Sequence, residues 1–145
     1  MLQNLIAASL AVFGAIAIST ILIGLLAQVL TRMELWLCTP PFGVKTVISL
    51  AGVSAWLLVT MGLSVLPWSF AFLWIGAFPN LETAVYFTSV TYTTLGYGDV
   101  VLPLESRGLS GLCAANGLLM FGLFTAFLVE FLRRLRQAHQ SAERN

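Results

Sequence analysis

The sequence predicts an all-α membrane protein with three transmembrane helices and one shorter helix that enters the membrane without crossing it. Of the 145 residues, 59% are hydrophobic and only 9% are charged, and the mean hydropathy is +0.93, whereas a soluble domain carries about 25% charged residues. The apolar residues form three runs long enough to cross a hydrocarbon core of about 30 Å as helices. A fourth apolar segment is too short to cross and leads directly into a glycine-rich stretch.

The first run, Leu5 to Leu30, is 26 residues long and uncharged, and it forms an N-terminal transmembrane segment within residues 1–30. Because it has no Arg or Lys at three-residue spacing, it cannot act as a voltage sensor. Small residues recur every four positions, which predicts a face that a second helix can approach closely, although an Ala-rich composition alone explains the pattern equally well. These residues are Ala7, Ala11, Ala15 and Ser19.

Residues 31–45 form a predicted cytoplasmic linker, in which the pair Pro40–Pro41 stops any helix. The second span is predicted over 46–66, and Pro67 kinks or ends it. The aromatic segment 68–78 leaves too little length for another crossing. It either lies along the outer interface or continues the kinked helix, and the sequence does not decide between these.

A short helix is predicted over 81–93, with Asn80 as its N-cap and Glu82 in its first turn, where the helix dipole favours an anion. Its length of about 20 Å is insufficient for a crossing. The glycine-rich stretch that follows it must run back to the same side. Irregular backbone at membrane depth is tolerated only where protein buries it or water reaches it, so this segment predicts a re-entrant loop beside a water-filled path.

The third span is predicted over 107–132, followed by a short polar tail over 137–145. With three spans, six of the seven basic residues fall on one side of the membrane. The positive-inside rule then predicts an external N-terminus and a cytoplasmic C-terminus. The six residues are Arg32, Lys45, Arg133, Arg134, Arg136 and Arg144.

The stretch from Thr94 to Asp99, Thr-Leu-Gly-Tyr-Gly-Asp, carries the main chemical signal. Gly96 and Gly98 can adopt positive φ without steric cost. A backbone that alternates between left- and right-handed conformations turns successive carbonyls toward one line. Four such strands around an axis would form rings of oxygens that replace the water shell of a cation.

This stretch resembles the selectivity filter of the potassium-channel pore-domain family, in which the usual form is TVGYG and Leu95 stands here in place of valine. The similarity extends over about 47–136 and is greatest to small bacterial ion channels with a minimal pore. It implies a pore domain over 46–136 and a tetrameric potassium-channel architecture. It also implies potassium sites at Thr94, Leu95, Gly96 and Tyr97, with Gly98 completing the filter.

The resemblance further implies that Asp99 and Tyr86 support the filter, because the Tyr86 hydroxyl can reach the carboxylate. Val90 stands where some relatives have an acidic residue, so a carboxylate pair with Asp99 is not expected. The family places an inner-helix hinge near Gly117, for which close helix packing is an equally good explanation. A cavity and gate are expected around this hinge, with Phe121 as a hydrophobic constriction. The cavity and gate residues are Asn116, Gly117, Leu118, Phe121 and Thr125. Because Asn116 is polar in an apolar span, it is expected either to meet water in the cavity or to form a hydrogen bond to the pore helix instead of facing the ion.

The functional hypothesis is a potassium-selective channel that conducts K⁺ passively as a homotetramer in the bacterial inner membrane. The alternatives are a non-selective cation channel and a non-conducting membrane subunit associated with another channel. An enzyme is not expected, because the acidic residues share no motif with His or Cys. Cys38, Cys113 and His139 show no metal-site spacing, and a net charge of +1 gives no reason to expect a nucleic-acid partner. No cofactor is predicted other than K⁺ as the permeant ion.

Overall fold

The structure, a computed structural model, describes residues 2–33 and 42–144, including the side chains of 2–33 and 43–137. Within these residues, three helical segments are long and apolar enough to cross a membrane, at Leu2–Arg32, Gly43–Trp74 and Gly108–Gln137. The prediction of an all-α membrane protein with three spans is therefore confirmed. The helices are α1 (Leu2–Arg32), α2 (Phe42–Ser64), α3 (Leu66–Trp74), α4 (Leu81–Tyr92), a 3₁₀ turn (Leu104–Ser106) and α5 (Gly108–Arg144).

The second span runs from α2 into α3 through Val65, which keeps helical dihedral angles of φ −70° and ψ −31°. Pro67 lies in the first turn of α3, where its missing N–H is tolerated. Of the two possibilities for 68–78, the continuation of a kinked helix is therefore observed as far as Trp74. The helical span Gly43–Trp74 is longer at both ends than the predicted span 46–66. It begins before Thr46, and Pro67 does not end it.

The first helix docks on α2 and α3 of the same chain through the predicted small-residue face. Ala7, Ala11, Ala15 and Ser19 are each at most 1% exposed, so the prediction of a packing face is confirmed. The Ser19 and Ser64 hydroxyl oxygens lie 2.8 Å apart in this buried contact. Gly14 lies against Pro67, because a Cβ on Gly14 would be 3.1 Å from the Cβ of the proline ring. The kink and the first helix thus fit together at a glycine.

Polar contacts at one end of the packed helices show the relative direction of α1, α3 and α5. Near the start of α1, the Asn4 amide donates to the Ser106 hydroxyl at 3.3 Å and the Gln3 amide donates to the Trp74 carbonyl at 3.4 Å. The N-terminus therefore lies at the same end as the close of α3 and the start of α5. This arrangement matches three spans that cross in alternating directions.

A cluster of aromatic rings joins α3 to α4. Trp68 and Phe72 are fully buried with ring centroids 5.6 Å apart. Phe72 meets Phe87 of α4 edge to face at 5.3 Å, and Phe78 lies 5.0 Å from Phe87. Edge-to-face and tilted arrangements are favoured by the ring quadrupoles. The kinked part of the second span and the short helix are therefore held as one packed unit.

The last helix is longer than the predicted span 107–132 and continues through the predicted tail to Arg144. Glu130 pairs with Arg133 at 3.1 Å and with Arg134 at 2.8 Å on the helix surface. Such pairs at three- and four-residue spacing favour continued helix, and no proline or glycine interrupts the sequence after Glu130. Most of the predicted linker, with Cys38 and Pro40–Pro41, lies outside the described residues, as does the His139 side chain.

Candidate functional site

The short helix α4 delivers the glycine-rich stretch to its position. The Asn80 side chain accepts a hydrogen bond from the Thr83 backbone N–H at 2.9 Å, so the predicted N-cap is confirmed. At the other end, the Val90 carbonyl accepts from the N–H groups of both Leu95 and Gly96 at 3.0 Å. These bonds fold the chain directly back from the end of the helix.

The backbone then alternates in handedness. Thr94 and Gly96 both have φ of 60°, and Gly98 has φ of 78°. The sequence predicted positive φ for the two glycines only. A non-glycine residue with positive φ is uncommon, and such strain clusters at functional sites. Thr94 therefore extends the alternation by one residue, which could not be predicted because threonine normally avoids this conformation.

The stretch 94–99 is exposed in the single chain. The Leu95 side chain is 56% exposed and Tyr97 is 69% exposed. A pocket of about 360 Å³ lies beside it, between α4 and the first turns of α5, with Thr91, Ser110 and Gly111 in its lining. In a membrane protein such backbone requires protein or water to cover it. Within one chain, protein does not cover it.

The Tyr86 hydroxyl donates a hydrogen bond of 2.6 Å to Asp99 Oδ2, which is the contact expected from the sequence. This bond holds the pKa of the Asp99 carboxyl below its usual value, because the hydroxyl stabilises the charged form. The same bond raises the pKa of Tyr86, since the neighbouring carboxylate disfavours a phenolate. The contact joins the middle of α4 to the residue after Gly98. Its role as filter support stays a prediction.

Of the two possibilities for Asn116, facing the cavity or forming a hydrogen bond inside the protein, the structure shows the hydrogen bond. Its side chain is only 5% exposed, and its Oδ1 accepts a hydrogen bond from Trp68 Nε1 at 3.0 Å. A buried amide needs a partner, and the indole N–H of α3 is within reach. The two residues are separated by 48 positions, so the sequence did not reveal the pair. The only available signal was that each is a polar group in an apolar segment.

Gly117 lies directly against the end of α4. A Cβ at this position would overlap the Tyr92 carbonyl oxygen and would stand 2.7 Å from the Tyr92 carbonyl carbon. Of the two explanations for this glycine, the structure shows close packing, while hinge motion stays a prediction. The remaining predicted gate residues point away from the packed interior, with Leu118 64% and Phe121 38% exposed and Thr125 also exposed.

Comparison with known proteins identifies similarity over the part of the chain that holds this site. A family model described as "Ion channel" matches residues 56–134, which is more than half of the chain. The potassium voltage-gated channel protein Shal of Drosophila melanogaster is 32% identical over 68 residues, which cover 46% of this chain and 12% of that protein. The chain thus spans a small part of that relative. No solved structure gives a significant match.

Proposed function

The chain belongs to the ion channel family, and on that premise we propose that it conducts potassium selectively and passively as a homotetramer. The resemblance to potassium-channel pore domains is confirmed at the level of the family, and the protein is a channel rather than an enzyme. The choice of ion and the number of subunits are the proposal. The similarity to Shal, whose name includes potassium, supports the choice of ion.

The observation that carries the proposal is the alternating backbone at Thr94, Gly96 and Gly98. Positive φ at every second position alternates with negative φ at Leu95 and Tyr97, an alternation that we expect to turn successive carbonyl oxygens toward the same side. Stacked carbonyl oxygens match the coordination that a dehydrated potassium ion requires. We assign the ion sites to Thr94, Leu95, Gly96 and Tyr97, with Gly98 at the outer end. Glu, Asp and His side chains are not needed for this kind of site.

The proposed tetramer rests on the exposure of the filter stretch in a single chain. A single strand offers too few oxygens to surround an ion, and Tyr97 is 69% exposed beside an open pocket. Four copies around an axis would close the carbonyl rings and cover this surface. The helix α1 packs on α2 and α3 and also contacts α5. We place it at the rim of the tetramer because it lies before residues 56–134, over which the ion channel model matches.

The charges support one orientation in the membrane. The end that carries Asn4, Trp74 and Ser106 has Arg107 as its neighbouring basic residue. The opposite end of α5 carries Arg133, Arg134 and Arg136. By the positive-inside rule the filter and the N-terminus face outward and the C-terminus is cytoplasmic. We place the protein in a bacterial inner membrane because its filter stretch resembles that of small bacterial channels.

The test is ion flux from liposomes that contain only this protein, comparing K⁺ and Rb⁺ with Na⁺. We expect K⁺ and Rb⁺ to pass and Na⁺ to be largely excluded, with empty liposomes as the control. Equal Na⁺ and K⁺ flux would indicate the non-selective cation channel instead. Complete absence of flux from a well-assembled sample would indicate the non-conducting subunit. Native mass measurement in mild detergent should give four chains, and a conducting monomer or dimer would contradict the assembly.

A further inference from the structure

The inner helix α5 is held on two sides by the same body that carries the proposed filter. On one side the Asn116 amide oxygen accepts from Trp68 Nε1 at 3.0 Å. On the other side Gly117 lies on the Tyr92 carbonyl. Adjacent positions of one helix turn are therefore fixed to α3 and to α4. Any motion that shifts or rotates this turn must break the first contact and change the second.

Trp68 is itself immobilised, so its N–H acts as a fixed donor. The side chain is fully buried, and its ring packs on Phe72, which in turn meets Phe87 of α4. Phe87 lies on the neighbouring turn to Val90, whose carbonyl receives the N–H groups of the filter stretch. The hydrogen bond thus connects α5 to the filter-bearing unit through rigid aromatic packing.

Because both partners are buried, loss of this hydrogen bond is energetically costly. Asn116 is 5% exposed and Trp68 is fully buried, so neither group can exchange its partner for water. In an apolar interior, removing one member leaves the other unsatisfied, whereas replacing both with apolar groups is nearly neutral. The energy of the contact therefore depends on keeping α5 in the position seen in this structure.

We propose that Trp68 and Asn116 are positioning residues for gating: their hydrogen bond holds the inner helix against the filter-bearing unit and biases the equilibrium between conducting and non-conducting states. This inference rests on the proposed channel function. The bond does not reach the filter carbonyls, so it changes how often the pore is open and leaves the choice of ion unaltered. The alternating signs of φ at 94–98 do not depend on this hydrogen bond.

The experiment is a double-mutant cycle with Trp68→Phe, Asn116→Leu and the double variant, reconstituted and recorded as single channels. Each single variant should shift the open–closed equilibrium constant in the same direction, by about threefold to twentyfold on the measured range of buried interhelical bonds in membranes. The double variant should shift it by less than the product of the two. The K⁺ to Na⁺ ratio should stay that of the unmodified protein in all three.

The matched control is Ser69→Ala, which removes a buried hydroxyl of α3 whose hydrogen bond, among the described residues, is to the Val65 carbonyl of its own helix at 3.1 Å. It should leave the equilibrium constant unchanged. Single variants that behave like this control, or a double variant equal to the product of the singles, would overturn the inference. If the unmodified protein passes no ions, the proposed function fails. Hydrogen exchange of the amides over 112–124 then tests the positioning role by itself. Faster exchange in the single variants than in Ser69→Ala supports that role, and equal exchange refutes it.

Discussion

Replacing Gly117 by alanine adds one methyl group where α5 crosses the end of α4. The added carbon would stand 2.7 Å from the Tyr92 carbonyl carbon and 3.1 Å from its Cα. Ordinary carbon contacts lie at about 3.5–4.0 Å, so the two helices must separate by roughly 1 Å. The obstructing atoms are backbone and cannot rotate away. We therefore expect a loss of about 1 to 3 kcal/mol, as for other overpacked cores.

The displacement acts two residues before Thr94, where the proposed ion sites begin, so ion selectivity should fall together with stability. Thermal unfolding in detergent and the ratio of Rb⁺ to Na⁺ flux measure the two effects. The matched control is Gly24→Ala, since a Cβ on Gly24 meets nothing within 4 Å. In a helix this change is neutral or stabilising by up to about 1 kcal/mol. A Gly117→Ala protein that melts and selects like Gly24→Ala would refute the packing argument.

Three further predictions concern the filter and the first helix. Tyr97→Asp should lower the K⁺ to Na⁺ flux ratio, because it alters the hydrogen bonding that holds the carbonyl rings; an unchanged ratio would contradict the assignment of Tyr97 to the filter. The Tyr86–Asp99 bond lowers the Asp99 pKa, so its stabilisation is present above the ordinary carboxyl pKa of about 4 and is lost as the pH falls through the lowered value. Tyr86→Phe should therefore shift acid loss of K⁺ flux to higher pH, and identical acid profiles for the two proteins would count against the role of this bond. Ala11 is 1% exposed, so Ala11→Leu should lower the melting temperature of the assembly by overpacking while the flux ratio stays constant, with the 71% exposed Phe13→Leu as the control. Altered selectivity in Ala11→Leu with assembly intact would mean that α1 touches the pore.

Local chemistry explains the features that were predicted from the sequence. Asn80 caps α4 because its own side chain reaches a backbone N–H three residues away. The face of Ala7, Ala11, Ala15 and Ser19 follows from helical periodicity, since residues four apart share one side. Gly96 and Gly98 stand at positive φ, which glycine adopts without cost. Each of these depends on neighbours within a few residues.

Whether the helix ends or continues at Pro67 could not be predicted from the sequence and is seen only in the tertiary structure. A proline can end a helix or kink it, and both outcomes satisfy its geometry. Gly14 of α1 provides the space that Pro67 occupies, and in the continued helix Trp68 and Phe72 are fully buried. The continuation is thus favoured by contacts with segments far away in the sequence.

The sequence by itself determined the three apolar spans, the re-entrant helix and the glycine pattern of the candidate filter, because length, hydropathy and glycine spacing act locally. Only the tertiary structure decided that Asn116 turns toward Trp68 and that Gly117 meets the Tyr92 carbonyl. A helical pattern specifies which residues share a face. It does not specify which distant residue that face will meet, since the choice depends on how the described helices together fill the space between them.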